Sequence, residues 1–217
     1  GFFFTAKTDR PYQGLPSDRW WTLEMQDAER VRNVVPEVDV CAPCLDRWGM
    51  ASRDHHNGYV HILGHREDYH QVDDPKIRYG RAINDMDDKQ QRKVCVIGSR
   101  VVQLLFPELG AQGNPVGSYL SLDRVYYQIV GVSGRKAGGR QVGGNPENTI
   151  ELPLGTMRRV YNRGNTIDML CMTAREGFRM SDVQDHAEQL IKRAHRIHPD
   201  DKQALKRLNT EAIFSMV

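Results

Sequence analysis

Residues 166–199 read TIDMLCMTAREGFRMSDVQDHAEQLIKRAHRIHP, and this stretch decides the fold class. Thr166 to Thr173 is apolar and rich in strand formers, so it predicts a β-strand. Ser181 then stands as a helix cap, and Val183, Ala187, Leu190, Ile191, Ala194 and Ile197 recur at the spacing that lines one face of a helix. His198-Pro199 closes that helix, and Ala204 to Phe214 is expected to supply a final strand, although its Lys and Glu content would also permit a helix. The opening of the chain repeats the pattern. Phe2-Phe3-Phe4-Thr5 predicts a strand, and an irregular excursion with Pro11, Gly14 and Pro16 follows. Met25, Ala28, Val31 and Val35 predict a surface helix that ends at Pro36, and Glu37 to Leu45 predicts the next strand. Two β-α-β units therefore bracket the middle, which is the plan of an α+β, ferredoxin-like (porter-like) split β-α-β subdomain with two helices over one face of an antiparallel sheet.

The middle has a different character. Tyr59 to Gly64, Lys93 to Gly98, Ser118 to Leu122, Val125 to Val132 and Thr149 to Leu152 all predict short strands bounded by Gly, Asn or Pro. Short helices are expected at 99–106 and 155–161, and the Gly-rich run Ser133 to Asn145 is expected to be a mobile loop. The expected organisation is residues 1–56 and 163–217 as the porter-like subdomain and 57–162 as an inserted, small, β-rich α/β subdomain.

Bulk properties exclude several classes. With 30 Lys and Arg against 28 Asp and Glu, no single-sign field points to nucleic acid or to an anionic membrane surface. No apolar run approaches the length a bilayer requires, so the chain reads as soluble, with any membrane attachment through helices outside this sequence. Four cysteines are too few to staple 217 residues, and burial of a core must do that work.

Three motifs could carry chemistry. Val94 to Gly98 followed by Ser99-Arg100-Val101 begins like a dinucleotide-binding turn, but Arg100 and Gln103 stand where the second and third glycines are needed; a strand-to-helix turn with Ser99 as cap accounts for every residue. Cys41-Ala42-Pro43-Cys44 is a CxxC with His56 and His61 downstream, near zinc-finger spacing, yet His55 to Gly58 reads as a turn and His61 sits in a strand. Cys41 and Cys44 are thus a possible disulfide in an oxidising compartment, two buried thiols being the alternative, and no metal or cofactor is expected. His65, Glu67, Asp68 and His70 cluster without a nucleophile, and the carboxylates Asp73-Asp74 and Asp85 to Asp88 flank expected turns, so these groups read as solvated surface and turn caps. The enzyme alternative is a small α/β enzyme using the His65–His70 neighbourhood or the Gly98 turn; the other is a CxxC metal or redox module.

The order of elements carries a resemblance. Gly58-Tyr-Val-His-Ile-Leu-Gly64, Asp68-Tyr69, Tyr79-Gly80-Arg81, Arg92-Lys-Val-Cys-Val-Ile-Gly98, Asn114-Pro-Val-Gly117, Tyr127-Gln-Ile-Val-Gly-Val132 and Asn148-Thr-Ile-Glu-Leu-Pro-Leu154 together resemble the periplasmic core domain of MacB-like ABC transporter permeases, the architecture shared with lipoprotein-releasing and cell-division relatives. Asp27-Ala28-Glu29 before Pro36-Glu37-Val38 resembles the segment after the first membrane helix of that family. The resemblance implies a non-catalytic ectodomain on the periplasmic face of a bacterial inner membrane, with a second copy of the permease, an ATPase subunit or domain and a periplasmic adaptor protein as partners. It also implies that residues 1–5 and 212–217 lie close together. Ala82 and Ile83 stand where the family shows aromatics, and the CxxC and the Asp9 to Arg19 stretch are not family signatures, so the scaffold is identified and the cargo is not.

Overall fold

A computed structural model of the chain describes residues 1–136 and 144–209. In chain order the strands are β1 (Phe2–Thr5), β2 (Leu23–Glu24), β3 (Val38–Arg53), β4 (His56–His65), β5 (Ile77–Gly80), β6 (Val94–Ile97), β7 (Tyr119–Leu122), β8 (Val125–Ser133), β9 (Thr149–Pro153), β10 (Thr166–Ile167), β11 (Met169–Ala174) and β12 (Leu205–Leu208). The helices are α1 (Met25–Val34), α2 (Asp85–Lys89), α3 (Ser99–Leu105), α4 (Leu154–Val160) and α5 (Met180–Ala194).

The chain divides into two compact units: Gly1–Cys44 with the residues from Asn165 onward, and Leu45–Gly164. These boundaries differ from the expected 56/57 and 162/163. The reason is β3, which runs on through Arg53 where a strand ending at Leu45 is expected. Its first part pairs with β11 and its second with β4, so the strand itself crosses from one unit to the other.

In the end unit the sheet order is β12-β1-β11-β3, every pair antiparallel. Within this sheet β3 is an edge, which is where Pro43 is tolerated, because an edge position does not require its missing N–H. Phe3, Cys41, Leu170 and Met172 form one apolar cluster with Ala28 and Val31 of α1 and Val183, Ala187 and Ile191 of α5. The two helices therefore cover the same face of the sheet. α5 starts earlier than expected: Met180 is buried in that cluster and Arg179 is the extended cap residue, leaving Ser181 within the first turn.

In the inserted unit the pairings β3-β4-β9-β6-β8-β7 close on themselves, since β7 pairs with both β8 and β3. β5 adds to β8 as an edge, where Gly80 has a φ of +72° and faces Gly131. A Cβ on Gly80 would lie 2.9 Å from the carbonyl carbon of Val130 and 3.0 Å from the Gly131 Cα, so this pair of strands approaches only because the position is glycine. A two-residue loop, with Asp54 at φ +52°, joins β3 to β4. The expected last strand is present as β12, which ends at Leu208; residues 210–214 of that expected strand, and 212–217, lie outside the described residues. Of the Gly-rich run, 137–143 lie outside the described residues as well, whereas Ser133 belongs to β8 and Arg135 is buried in an ion-pair network.

Candidate functional site

The buried charges of the inserted unit gather at two places. Glu151 of β9 is an acidic residue inside an apolar strand, and its carboxylate accepts from Nε2 of the fully buried His65 at 2.8 Å. Arg135 stands 3.6 Å from the same carboxylate and 3.5 Å from Asp73, and the rings of Tyr69 and His70 stack about His65 at 4.9 and 5.3 Å. Burial alone would raise the Glu151 pKa, but the hydrogen bond and charge of His65, with Arg135 and His70, outweigh it and hold the carboxyl below its usual range. Burial dominates at the periphery: it lowers His70, with His65 adding to the effect, and raises Asp73 despite Arg135. A step further along β4, buried His61 lies between Asp46 and the Thr149 hydroxyl, which itself donates to the Asn145 carbonyl.

The second place is the start of α2. Asn84 and Asp87 form a reciprocal capping box, and the fully buried Asp87 takes Arg81 Nη1 at 2.7 Å and Nη2 at 3.1 Å, with Arg92 at 3.4 Å. Those donors overcome the effect of burial and lower the Asp87 pKa, while the same hydrogen bond raises Arg81.

The end unit uses the same device twice. Asp27, buried at the first turn of α1, takes the Glu24 N–H at 2.7 Å, Arg30 at 3.0 Å and His195 Nε2 at 2.8 Å. Asp201 accepts four backbone N–H groups, from Asp9, Arg10, Gln203 and Ala204, at 2.7 to 3.1 Å. Burial pushes against ionisation of Asp201, yet these donors leave its pKa lowered. The irregular Asp9–Arg19 excursion is thereby tied to the chain beside β12.

The motifs singled out in the sequence take these places. Gly98 caps α3 in place of the expected Ser99, its N–H donates to the Thr149 carbonyl at 3.0 Å, and the Pro146–Asn148 turn packs against its Cα. Cys41 and Cys44 stand three residues apart in mid-strand, so their side chains leave opposite faces of β3 at a Cα separation of about 10 Å, beyond the reach of a disulfide. Both are buried; Cys44 instead lies beside Cys171, Sγ to Sγ 3.7 Å. His56 and His61 belong to β4 in the other unit, and among the described residues no group of three or more His, Cys, Asp or Glu is placed to hold a metal. The His65–His70 neighbourhood, expected at the surface, is an interior network because Glu151 supplies the partner that a single-sequence view of 65–70 lacks. Asp85 to Asp88 is likewise a helix start and not a turn. Sequence reasoning missed Glu151 and Asp87; the signals were a glutamate between Ile150 and Leu152 and the capping-box spacing of Asn84 and Asp87.

On the outside of the closed strand ring, Tyr59, Tyr119 and Tyr126 are exposed, and Ser52, Arg53, Asp54, Ser121 and the last two tyrosines line an open concavity of about 540 Å³. None of the buried clusters borders it.

A family model described as the MacB-like periplasmic core domain matches residues 4–190. The chain belongs to that family. This MacB-like domain is 24% identical over 177 residues to the macrolide export ATP-binding/permease protein MacB of Bdellovibrio bacteriovorus, covering 81% of the chain and 26% of that protein. It is 24% identical over 139 residues to the pyoverdine export ATP-binding/permease protein PvdT of Pseudomonas aeruginosa, covering 64% of the chain and 20% of that protein. The domain thus spans about a fifth to a quarter of the length of these curated relatives. In fold it is similar to the periplasmic region of MacB from Actinobacillus actinomycetemcomitans, with a TM-score of 0.75 at 17% identity over 99% of this chain and 90% of that one. The extracellular domain of the ABC-type transporter YknZ from Gram-positive bacteria matches at a TM-score of 0.73 and 14% identity, over 96% and 98% of the two chains. No helix among the described residues is long and apolar enough to cross a membrane.

Proposed function

We propose that this domain is a non-catalytic transmission element of an ABC permease, on the periplasmic face of the inner membrane, converting cytoplasmic ATP hydrolysis into movement that drives export. Its partners in this reading are a second copy of the permease, an ATPase subunit or domain, and a periplasmic adaptor. The observation that carries it is β3, one hydrogen-bonded strand of 16 residues whose first part belongs to the end unit and whose second part belongs to the inserted unit. Strand order in the end unit, counting its four long strands along the chain, is fourth-first-third-second, which supports the ferredoxin-like, porter-like description of that unit. β1 and β12 pair antiparallel, so Phe2 at the start of one stands beside Leu208 at the described end of the other, an arrangement that suits an ectodomain held between successive membrane helices. A pull on that pair loads a ladder of backbone hydrogen bonds through β11 to β3. The exposed tyrosines of the inserted unit suit a protein contact, since tyrosine is enriched at interfaces.

The test is insertion of a short Gly-Ser segment between Cys44 and Leu45 in the complete permease, reconstituted with its ATPase. The expected result is continued ATP hydrolysis with export reduced to background. Export at the unmodified rate with a confirmed insertion overturns the proposal.

A further inference from the structure

We propose that Cys44 and Cys171 form a reversible, redox-responsive disulfide across β3 and β11, a pairing that the CxxC spacing conceals. The inference rests on sheet geometry and is independent of the transmission reading. In the register of β3 and β11, Cys44 stands opposite Met169 and Cys171 opposite Ala42. The two cysteines are therefore diagonal neighbours whose side chains leave the same face of the sheet, and their sulfurs are 3.7 Å apart with both residues fully buried. Cys41 points to the other face, into the cluster beneath the helices, and Cys95 belongs to the inserted unit.

Closing the gap to a covalent bond of about 2.0 Å requires the sulfurs to approach by about 1.7 Å, and because diagonal neighbours stand about 7–8 Å apart, that approach takes side-chain rotation together with a local shift of β11 along β3. Diagonal neighbours have Cβ atoms farther apart than a relaxed disulfide prefers, so the bond carries strain. Strain raises the reduction potential and places the pair with labile, responsive disulfides, not with structural ones. The chemistry balances with a disulfide donor of the thiol-oxidase or glutathione class. A thiolate of one cysteine attacks a donor sulfur, the second cysteine displaces the mixed disulfide, two protons leave the thiols, and the donor departs as two thiols carrying the two electrons. Because both thiols are buried, the exchange occurs during folding or local opening of β11, and oxidation then ties the last end-unit residue of β3 to its neighbouring strand.

The experiment refolds the protein in glutathione buffers from reducing to oxidising, quenches in acid, alkylates and digests with trypsin without reduction. Cleavage at Arg32, Arg47, Arg163 and Arg175 places Cys41 and Cys44 on peptide 33–47 and Cys171 on peptide 164–175. The expected product is a 33–47/164–175 cross-link that appears in oxidising buffer, persists in Cys41→Ser, is absent in Cys44→Ser and Cys44→Ala, and disappears on mild reduction with an unchanged circular dichroism spectrum. Full alkylation of all four cysteines in the most oxidising buffer overturns the proposal. So does a cross-link that survives removal of Cys44, or a glutathione adduct on Cys44 or Cys171 that never resolves.

Discussion

Replacing Gly98 by alanine tests why a glycine follows the apolar strand Val94–Ile97. Gly98 has φ −78° and ψ 167°, a conformation open to any residue, so backbone strain is not the issue. Space is. A Cβ there would meet the Pro146 carbonyl oxygen, and would lie 2.5 Å from the Glu147 oxygen and 2.7 Å from its carbonyl carbon. All three are backbone atoms of the turn preceding β9, which cannot rotate away as a side-chain tip does. Overpacking of this kind costs about 1–3 kcal/mol, and the rigid neighbours place this site near the upper end. Alanine also restricts the unfolded chain, which returns about 0.4–1 kcal/mol. The net expectation is a loss of about 2 kcal/mol, or about 4–8 °C in Tm for a chain of this size. Since the chain comprises two compact units, the melt is to be accompanied by amide exchange, with the Gly98 N–H and the first turn of α3 exchanging faster while β1 and β11 keep their protection. An unshifted Tm with unchanged exchange refutes the reasoning: the turn would then yield freely, and the glycine would have to be explained by something that approaches from outside, as a bound phosphate does.

Three further outcomes follow from the buried carboxylates. Asp87→Ala removes both Arg81 bonds, the Arg92 contact and the cap on Asn84, and is expected to lower stability by about 3 kcal/mol by urea unfolding at unchanged m-value; the low end of the range for a broken buried pair applies because the arginines are partly exposed and rehydrate. Asp201→Ala strips the acceptor from four backbone N–H groups and is expected to cost about 2 kcal/mol, with amide exchange accelerated at residues 9, 10, 203 and 204 together. Stability measured against pH is expected to fall in acid: Asp87, Glu151 and Asp201 have lowered pKa values, so what they contribute is present above about pH 4 and is lost as pH drops through their folded values. His70, also lowered, adds to the same trend from about pH 6.5 downward, whereas the raised Asp73 opposes it, its contribution being present in acid and lost as pH rises through its folded value; a profile flat from pH 7 to 3 contradicts the assignment.

The legible parts of the fold were those with a period. α5 shows its face at 183, 187, 190 and 191, and the middle strands are short apolar runs between glycines, so their existence and type follow from hydropathy. β3 was half legible. From Val40 to Leu45 it is buried on both faces and contains Pro43, and only from Trp48 to Ser52 does its burial alternate; no local pattern joins the two parts, because different neighbours bury each of them. The buried carboxylates were the least legible. Asp87 sits in a run of four residues with three aspartates, which reads as a solvated turn, and its interior position depends on Arg81 and Arg92 folding back from either side. His65 and Glu151 are 86 residues apart, and neither residue type alone announces the pair. The CxxC misled for the opposite reason: sequence proximity suggests contact, but a strand sends positions three apart to opposite faces, and a cysteine 127 residues away is the nearer partner.

These buried charges join segments that are remote along the chain: Asp27 meets His195 across 168 residues, Asp201 meets Asp9 across 192, and Glu151 meets His65 across 86. Apolar contacts alone make a core cohesive but lack direction, so packed elements can slide past one another with little change in buried area. A charge-assisted hydrogen bond in the interior is short and directional, and leaving either group unpaired is costly, so displacement of one segment against the other is opposed from the first fraction of an ångström. A domain that only had to remain folded would gain as much from hydrophobic residues of the same volume, because desolvation offsets most of the attraction in a buried pair. On the transmission reading proposed above, in which each unit moves as a body when its terminal strands are pulled, the buried charges add something else, namely resistance to shear inside each unit. Replacing His65 and Glu151 together by apolar residues separates these roles: the double replacement is expected to cost less stability than removal of Glu151 alone, with Arg135 keeping Asp73 as its counter-charge, while on the proposed transmission reading export by the complete permease falls.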